Sequence, residues 1–130
     1  MTIDRKADGA GWDWTSFVQS LPQPLPQELD LQAVAPGDSV LVKTKNTLYL
    51  FTWKGACQAE LRTNNQKTPS GSVQIMGCSF GLSSSIRPDA LFCGGNLEFT
   101  HQRGEKTWTT SRIDEIYLLH LSEKKTPTRP

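Results

Sequence analysis

The pattern of apolar and polar positions changes character at the turn Ala35-Pro36-Gly37-Asp38. Beyond it, short runs rich in β-branched and aromatic residues alternate with Gly-, Asn- and Ser-bearing breaks, which is how strands joined by tight turns read. The runs predict strands over Ser39–Thr44, Thr47–Trp53, Ala56–Arg62, Val73–Phe80, Leu91–Cys93, Asn96–His101 and Lys106–Thr110, with Ile113–Leu121 closing the set. Along Thr47–Trp53, Leu48, Leu50 and Thr52 fall on one face and Tyr49, Phe51 and Trp53 on the other. Apolar side chains on both faces predict a central strand, or one whose second face is covered by chain from elsewhere. Lys45-Asn46 predicts a bend, and Lys54-Gly55 and Arg103-Gly104 predict hairpin turns. The closing run carries two patterns. Ser111-x-x-Asp114 resembles a capping box and Ile113, Ile116, Tyr117, His120 and Leu121 fit helical spacing, while Ile116–Leu119 is a continuous apolar run of strand length. A closing strand is the favoured expectation.

Ahead of the turn the period is helical. Asp13 is placed to cap a short helix over residues 13–20, with Trp14, Phe17, Val18 and Leu21 at the i, i+3, i+4, i+7 spacing of one apolar face and Trp12 just before it. Leu21-Pro22-Gln23-Pro24-Leu25-Pro26 then stops the helix and favours an extended path. The expected organisation is an N-terminal arm over 1–35 (helix 13–20, proline-rich 21–26), a β domain over 36–121 and a polar tail over 122–130. The expected fold is all-β: a small, partly open β-barrel or sandwich of about seven short strands, with the arm laid across it as a lid or reaching to a neighbour.

Composition narrows the function classes. The 130 residues carry a net charge of +1, so no global field draws in nucleic acid or an anionic membrane. No apolar run approaches the roughly 18 residues of a membrane span. Cys57, Cys78 and Cys93 form no CxxC pair, and an odd count with no apolar leader at the N-terminus fits free thiols and a cytoplasmic location.

The region Thr68–Ile86 is uncharged, which predicts backbone packed closely within the domain or against a partner. Within it, Gly77–Ser85 is read as a bulged strand whose glycines permit close backbone approach. The sharper alternative is an anion or small-molecule site of Ser83, Ser84 and Ser85 with Arg87 as counter-charge. A nucleotide P-loop is excluded, because Ile86-Arg87-Pro88 stands where a helix would have to open. Spacings of 21 and 15 residues between the cysteines argue against zinc, and only His101 and His120 could activate a thiol. His101 is expected at a strand-end surface and His120 as a hydrogen-bonded core residue. Adjacent Asp114 and Glu115 point to opposite faces of a strand, and Glu98 is expected to face solvent away from Leu97 and Phe99. No catalytic residue, metal or cofactor is assigned.

Gly37-Asp38-x-Val40-x-Val42-x-Thr44-x-Asn46-Thr47-x-Tyr49, Gly94-Gly95-x-Leu97-Glu98-Phe99 and Thr109-Thr110-Ser111-x-Ile113-x-x-Ile116 resemble phrases shared by a set of small bacterial all-β proteins, over residues 37–119. The resemblance implies a turn into a strand, a strand pair with a glycine bulge and a closing strand, and it implies no activity. The leading functional expectation is a non-enzymatic protein-interaction or self-association module using Trp12, Trp14, Phe17 and Leu21. A single-stranded nucleic-acid barrel is the third reading, with Tyr49, Trp53 and Trp108 as stacking platforms and Lys43, Lys45, Lys54 and Arg62 along the phosphates.

Overall fold

A computed structural model describes residues 13–80, 86–101 and 106–120. In chain order the elements are α1 (Trp14–Gln19), β1 (Glu28–Asp30), a 3-10 turn (Leu31–Ala33), β2 (Ser39–Thr44), β3 (Leu48–Gly55), β4 (Gln58–Thr63), β5 (Gly71–Ser79), β6 (Ile86–Arg87), β7 (Ala90–Phe92), β8 (Asn96–His101) and β9 (Thr107–Leu119). The chain is all-β, as its pattern predicts. Asp13 caps α1 as expected: its Oδ1 accepts from Thr15 N at 3.1 Å and its Oδ2 from the Ser16 hydroxyl at 2.7 Å. These bonds, the Ser16 one foremost, hold its carboxyl below the ordinary value.

The wall runs β4-β3-β2-β9-β8-β5, and β5 also pairs with β4, which closes a six-stranded antiparallel barrel. Read from the sequence the barrel is partly open; in the structure it is closed. Closure follows from the length of β5. Its first half pairs with β4 (Ala59 opposite Val73, Leu61 opposite Gly71), and the same edge further along receives β6 (Cys78 opposite Arg87). An even number of strands lets the meander return antiparallel, so no wall strand is left with an unpaired edge along its whole length.

Residues Thr107–Leu119, read as two separate elements in the sequence pattern, form the single strand β9. Its first half pairs with β8 and its second with β2. The register slips between Asn96 and Glu98 on β8 and between Lys43 and Thr44 on β2. Each slip gives β9 an extra residue, so its inward positions run Thr110, Ile113, Ile116. Bulges therefore produce the spacing of three that resembles a helix, and Ser111 and Asp114 are exposed on a strand. The β3–β4 turn also differs: its central residues are Ala56 and Cys57, both at positive φ (54° and 61°), rather than Lys54-Gly55.

Alternation fills the interior with Val40, Val42, Tyr49, Phe51, Trp53, Leu61, Val73, Ile75, Cys78, Leu97, Phe99 and Ile116. Phe99 meets Phe51 and Tyr49 edge-on, with centroids 5.8 and 6.3 Å apart. β1 and β7 make a separate antiparallel pair, with Leu29 opposite Leu91. Leu29, Leu31 and Val34, which precede the turn at residue 35, belong to the same core as the barrel interior.

Candidate functional site

The outward face of β3, β2 and β9 is apolar as well. Leu41 lies opposite Leu50 on one side and Tyr117 on the other, so the three form a row across the wall. They are 0%, 7% and 7% exposed, because Trp14, Phe17 and Leu21 of the arm pack on them together with Leu48 and Leu119. This is the second face anticipated for Thr47–Trp53, covered by the arm. Trp14 and Phe17 meet edge-on at 6.1 Å. Beyond the helix the proline-rich path is tied down by backbone bonds: Leu25 N–H donates to Ile116 O, and Gln27 O accepts from Cys93 N–H, both at 2.8 Å. The helix is held less firmly. It has six residues, and none of them is fully buried. Beside Phe17 runs an open groove of ≈ 700 Å³ whose lining includes Ser39, Leu50, Thr52, Glu60 and Arg62. Trp12 lies outside the described residues.

On the same wall the Tyr117 hydroxyl donates to Glu115 Oε1 at 2.5 Å. Burial first, then the neighbouring carboxylate, pushes its pKa up to about 12. The unfolded chain ionises this phenol near the ordinary value of about 10. Between these values the unfolded state binds fewer protons, so the stability Tyr117 contributes is complete below pH 10 and is lost as pH rises towards 12. Tyr117→Phe is expected to flatten the fall in stability over that window, as read from urea midpoints; an unchanged pH profile would show that Tyr117 does not titrate there.

The other predicted site falls partly outside the described residues, which do not include Ser83, Ser84 or Ser85. Arg87 is on β6. Its Nη2 lies 3.5 Å from Glu28 Oε2, and its guanidinium sits 5.6 Å from the Phe92 ring centroid. A carboxylate already faces the charge that an anion would need.

Several isolated side chains sit differently from expectation. Glu98 does point away from Leu97 and Phe99, but it is 9% exposed rather than solvated, and it accepts from the Ser79 hydroxyl. Asn96 and Ser79 are buried on the same face, with Asn96 Nδ2 donating to the Thr110 backbone carbonyl. No local pattern marks this group, because outward alternation ordinarily means solvent. His120 is exposed rather than in the core, and its Nδ1 lies 3.2 Å from Oδ2 of buried Asp38. His101 is half-buried, with Nε2 2.7 Å from Pro69 O and Trp108 edge-on. Tyr49 and Trp53 are 6% and 3% exposed inside the barrel, so they offer no stacking face; Trp108 is half-buried under Lys106. Lys43 pairs with Glu115 at 3.7 Å and Lys54 with Glu60 at 2.9 Å.

The Cys78 thiol is fully buried, and burial foremost pushes it up to about 11; Cys57 and Cys93 are half-buried and also raised, chiefly by desolvation. A thiol so shifted is a poor nucleophile at neutral pH. Among the described residues no three of His, Cys, Asp and Glu converge on a point that could hold a metal ion. No helix among them is long and apolar enough to cross a membrane. No family model, curated protein or solved structure matches the chain.

Proposed function

We propose that this protein is a non-enzymatic interaction module, contacting another protein or a second copy of itself through the arm-bearing wall. One observation carries the reading: Leu41, Leu50 and Tyr117 form an apolar cluster outside a barrel whose interior is already packed. A barrel needs only one core. A second apolar row on its outer face is surplus to closure, and large apolar faces outside a core are typical of binding surfaces. What covers this one is a six-residue helix offering Trp14 and Phe17, with Leu21 just beyond its C-cap, and helix-borne aromatic anchors are a common way for an amphipathic helix to dock in a groove. The three free thiols fit a cytoplasmic setting.

The test is native mass spectrometry of the gently purified full chain, alongside the double variant Trp14→Ala/Phe17→Ala. Wild type is expected as a homo-oligomer or a defined complex. The double variant should weaken that assembly at least about tenfold, or ~1.4 kcal/mol. Assembly that is unchanged in the variant, with only lower monomer stability, would make the arm a lid and overturn the reading.

A further inference from the structure

The arm is joined to the barrel in a way that lets it leave. Among the described residues, the backbone bonds of residues 13–21 stay inside the arm. Phe17 N–H donates to Asp13 O at 3.0 Å, Ser20 N–H to Phe17 O at 3.1 Å and Leu21 N–H to Val18 O at 3.2 Å. The Asp13, Ser16 and Ser20 side chains also bond within it. The first backbone bond that reaches the barrel is Leu25 N–H to Ile116 O. Between helix and tie, Pro22 and Pro24 have no N–H to donate and hold the chain extended. Release of residues 13–24 therefore breaks no strand ladder. It gives up the packing of Trp14, Phe17 and Leu21 against the Leu41, Leu50 and Tyr117 row.

That packing is necessary and, within one chain, incomplete. The apolar row is buried only under an arm, so some copy of the arm must lie there. Trp14, Phe17 and Leu21 themselves stay half-buried. The groove of ≈ 700 Å³ beside Phe17 stays open, with Leu50 in its lining. Apolar side chains left part-covered beside an open groove are the surface a partner covers. The charges say which partner. Glu60 and Arg62 also line the groove, two apart on β4 and opposite Thr52 and Leu50 in the register. Opposite charges side by side on one strand match a copy of themselves turned about a two-fold axis, Glu60 of each copy against Arg62 of the other. At a net charge of +1, two copies repel little.

We propose that two copies of this chain exchange arms, α1 of each lying on the Leu41, Leu50 and Tyr117 row of the other while the two grooves close on one another. The proposal rests on the reading of this wall as an interaction surface and names its partner as a second copy. At about 3.1 Å per residue, the chain from Leu21 to Leu25 reaches roughly 12 Å, so exchange sets the two walls face to face. Each arm keeps the contacts it makes within one chain, and the closed grooves add new ones, which makes exchange a low-cost route to a dimer.

The experiment uses the full chain with Phe17→p-benzoylphenylalanine, a photo-crosslinker close to phenylalanine in shape. Equal amounts of 14N and 15N protein are mixed in urea, refolded together, weighed by native mass spectrometry, irradiated and digested. A dimer is expected, with links from the arm to β3 or β9 peptides joining 14N to 15N as often as like to like. Leu21→p-benzoylphenylalanine places the probe at the other end of the arm, should give the same mixed links, and serves if the first variant fails to assemble. A dimer whose links all join like isotopes would overturn exchange and leave the wall an interaction surface. Wild-type chain that is monomeric at every concentration would overturn exchange and leave the wall to a different protein. A dimer that Trp14→Ala/Phe17→Ala leaves unchanged would overturn the reading of the wall itself, and exchange with it.

Discussion

Phe51→Ala is expected to lower the stability of the protein by about 3–5 kcal/mol. Phe51 is 0% exposed, stands between Val40 and Leu61 in the barrel register, and meets Phe99 edge-on at 5.8 Å. Truncation removes the buried area of an aromatic ring, leaves a cavity, and forfeits the edge contact. The neighbours cannot collapse into the gap, because each inward side chain is fixed by strands hydrogen-bonded around a closed wall. Native domains have only about 5–15 kcal/mol to lose, so this one change removes a large share. In urea unfolding the midpoint should fall with an unchanged slope. Phe80→Ala is the control: the same ring at 63% exposure, stacked on Phe92, should cost under about 1.5 kcal/mol. Equal costs for the two rings would contradict the interior placement of Phe51.

Gly77→Ala is expected to be at least as disruptive locally, and for a different reason. Gly77 has φ +123°, and a Cβ there would lie 2.0 Å from Arg87 O and 2.8 Å from Pro88 Cα. Both atoms are backbone, so no side chain can swing away, and β6 would have to leave β5. Gly71 supplies the comparison. Its φ of +130° is nearly the same, yet an added Cβ meets nothing within 4 Å. Gly71→Ala therefore measures backbone strain alone, about 1–3 kcal/mol. Gly77→Ala adds the clash, for roughly 1–3 kcal/mol more. If the two variants unfold at the same urea concentration, β6 does not pack on Gly77 as described.

Gly77 also shows how much was legible before the structure. The uncharged stretch around it signals close backbone packing, and the β6 backbone is what packs there. The strands over Ser39–Thr44 and Asn96–His101 coincide with β2 and β8, and the Asp13 cap is where its residue type places it. The short strands β1 and β6 carry no readable period, since two or three residues are too few to show alternation. Glu98 reads as solvent-facing because alternation says which face a residue is on and nothing about what covers that face. His120 reads as core from its leucine neighbours, yet it lies just past the last residue of β9 and is exposed.

The sequence alone determined the all-β character, the bend at Lys45-Asn46, the capped helix and the two-sided apolar strand β3. All of these depend on residues within a few positions of one another. Tertiary structure alone decided that β5 closes the wall onto β4, that β9 is one bulged strand serving two partners, and that the arm lies over Leu41, Leu50 and Tyr117. It also decided that Ser79, Asn96 and Glu98 are buried together. Those outcomes join segments distant in the chain, and their pairing depends on strand length, register and bulges acting together around a closed barrel.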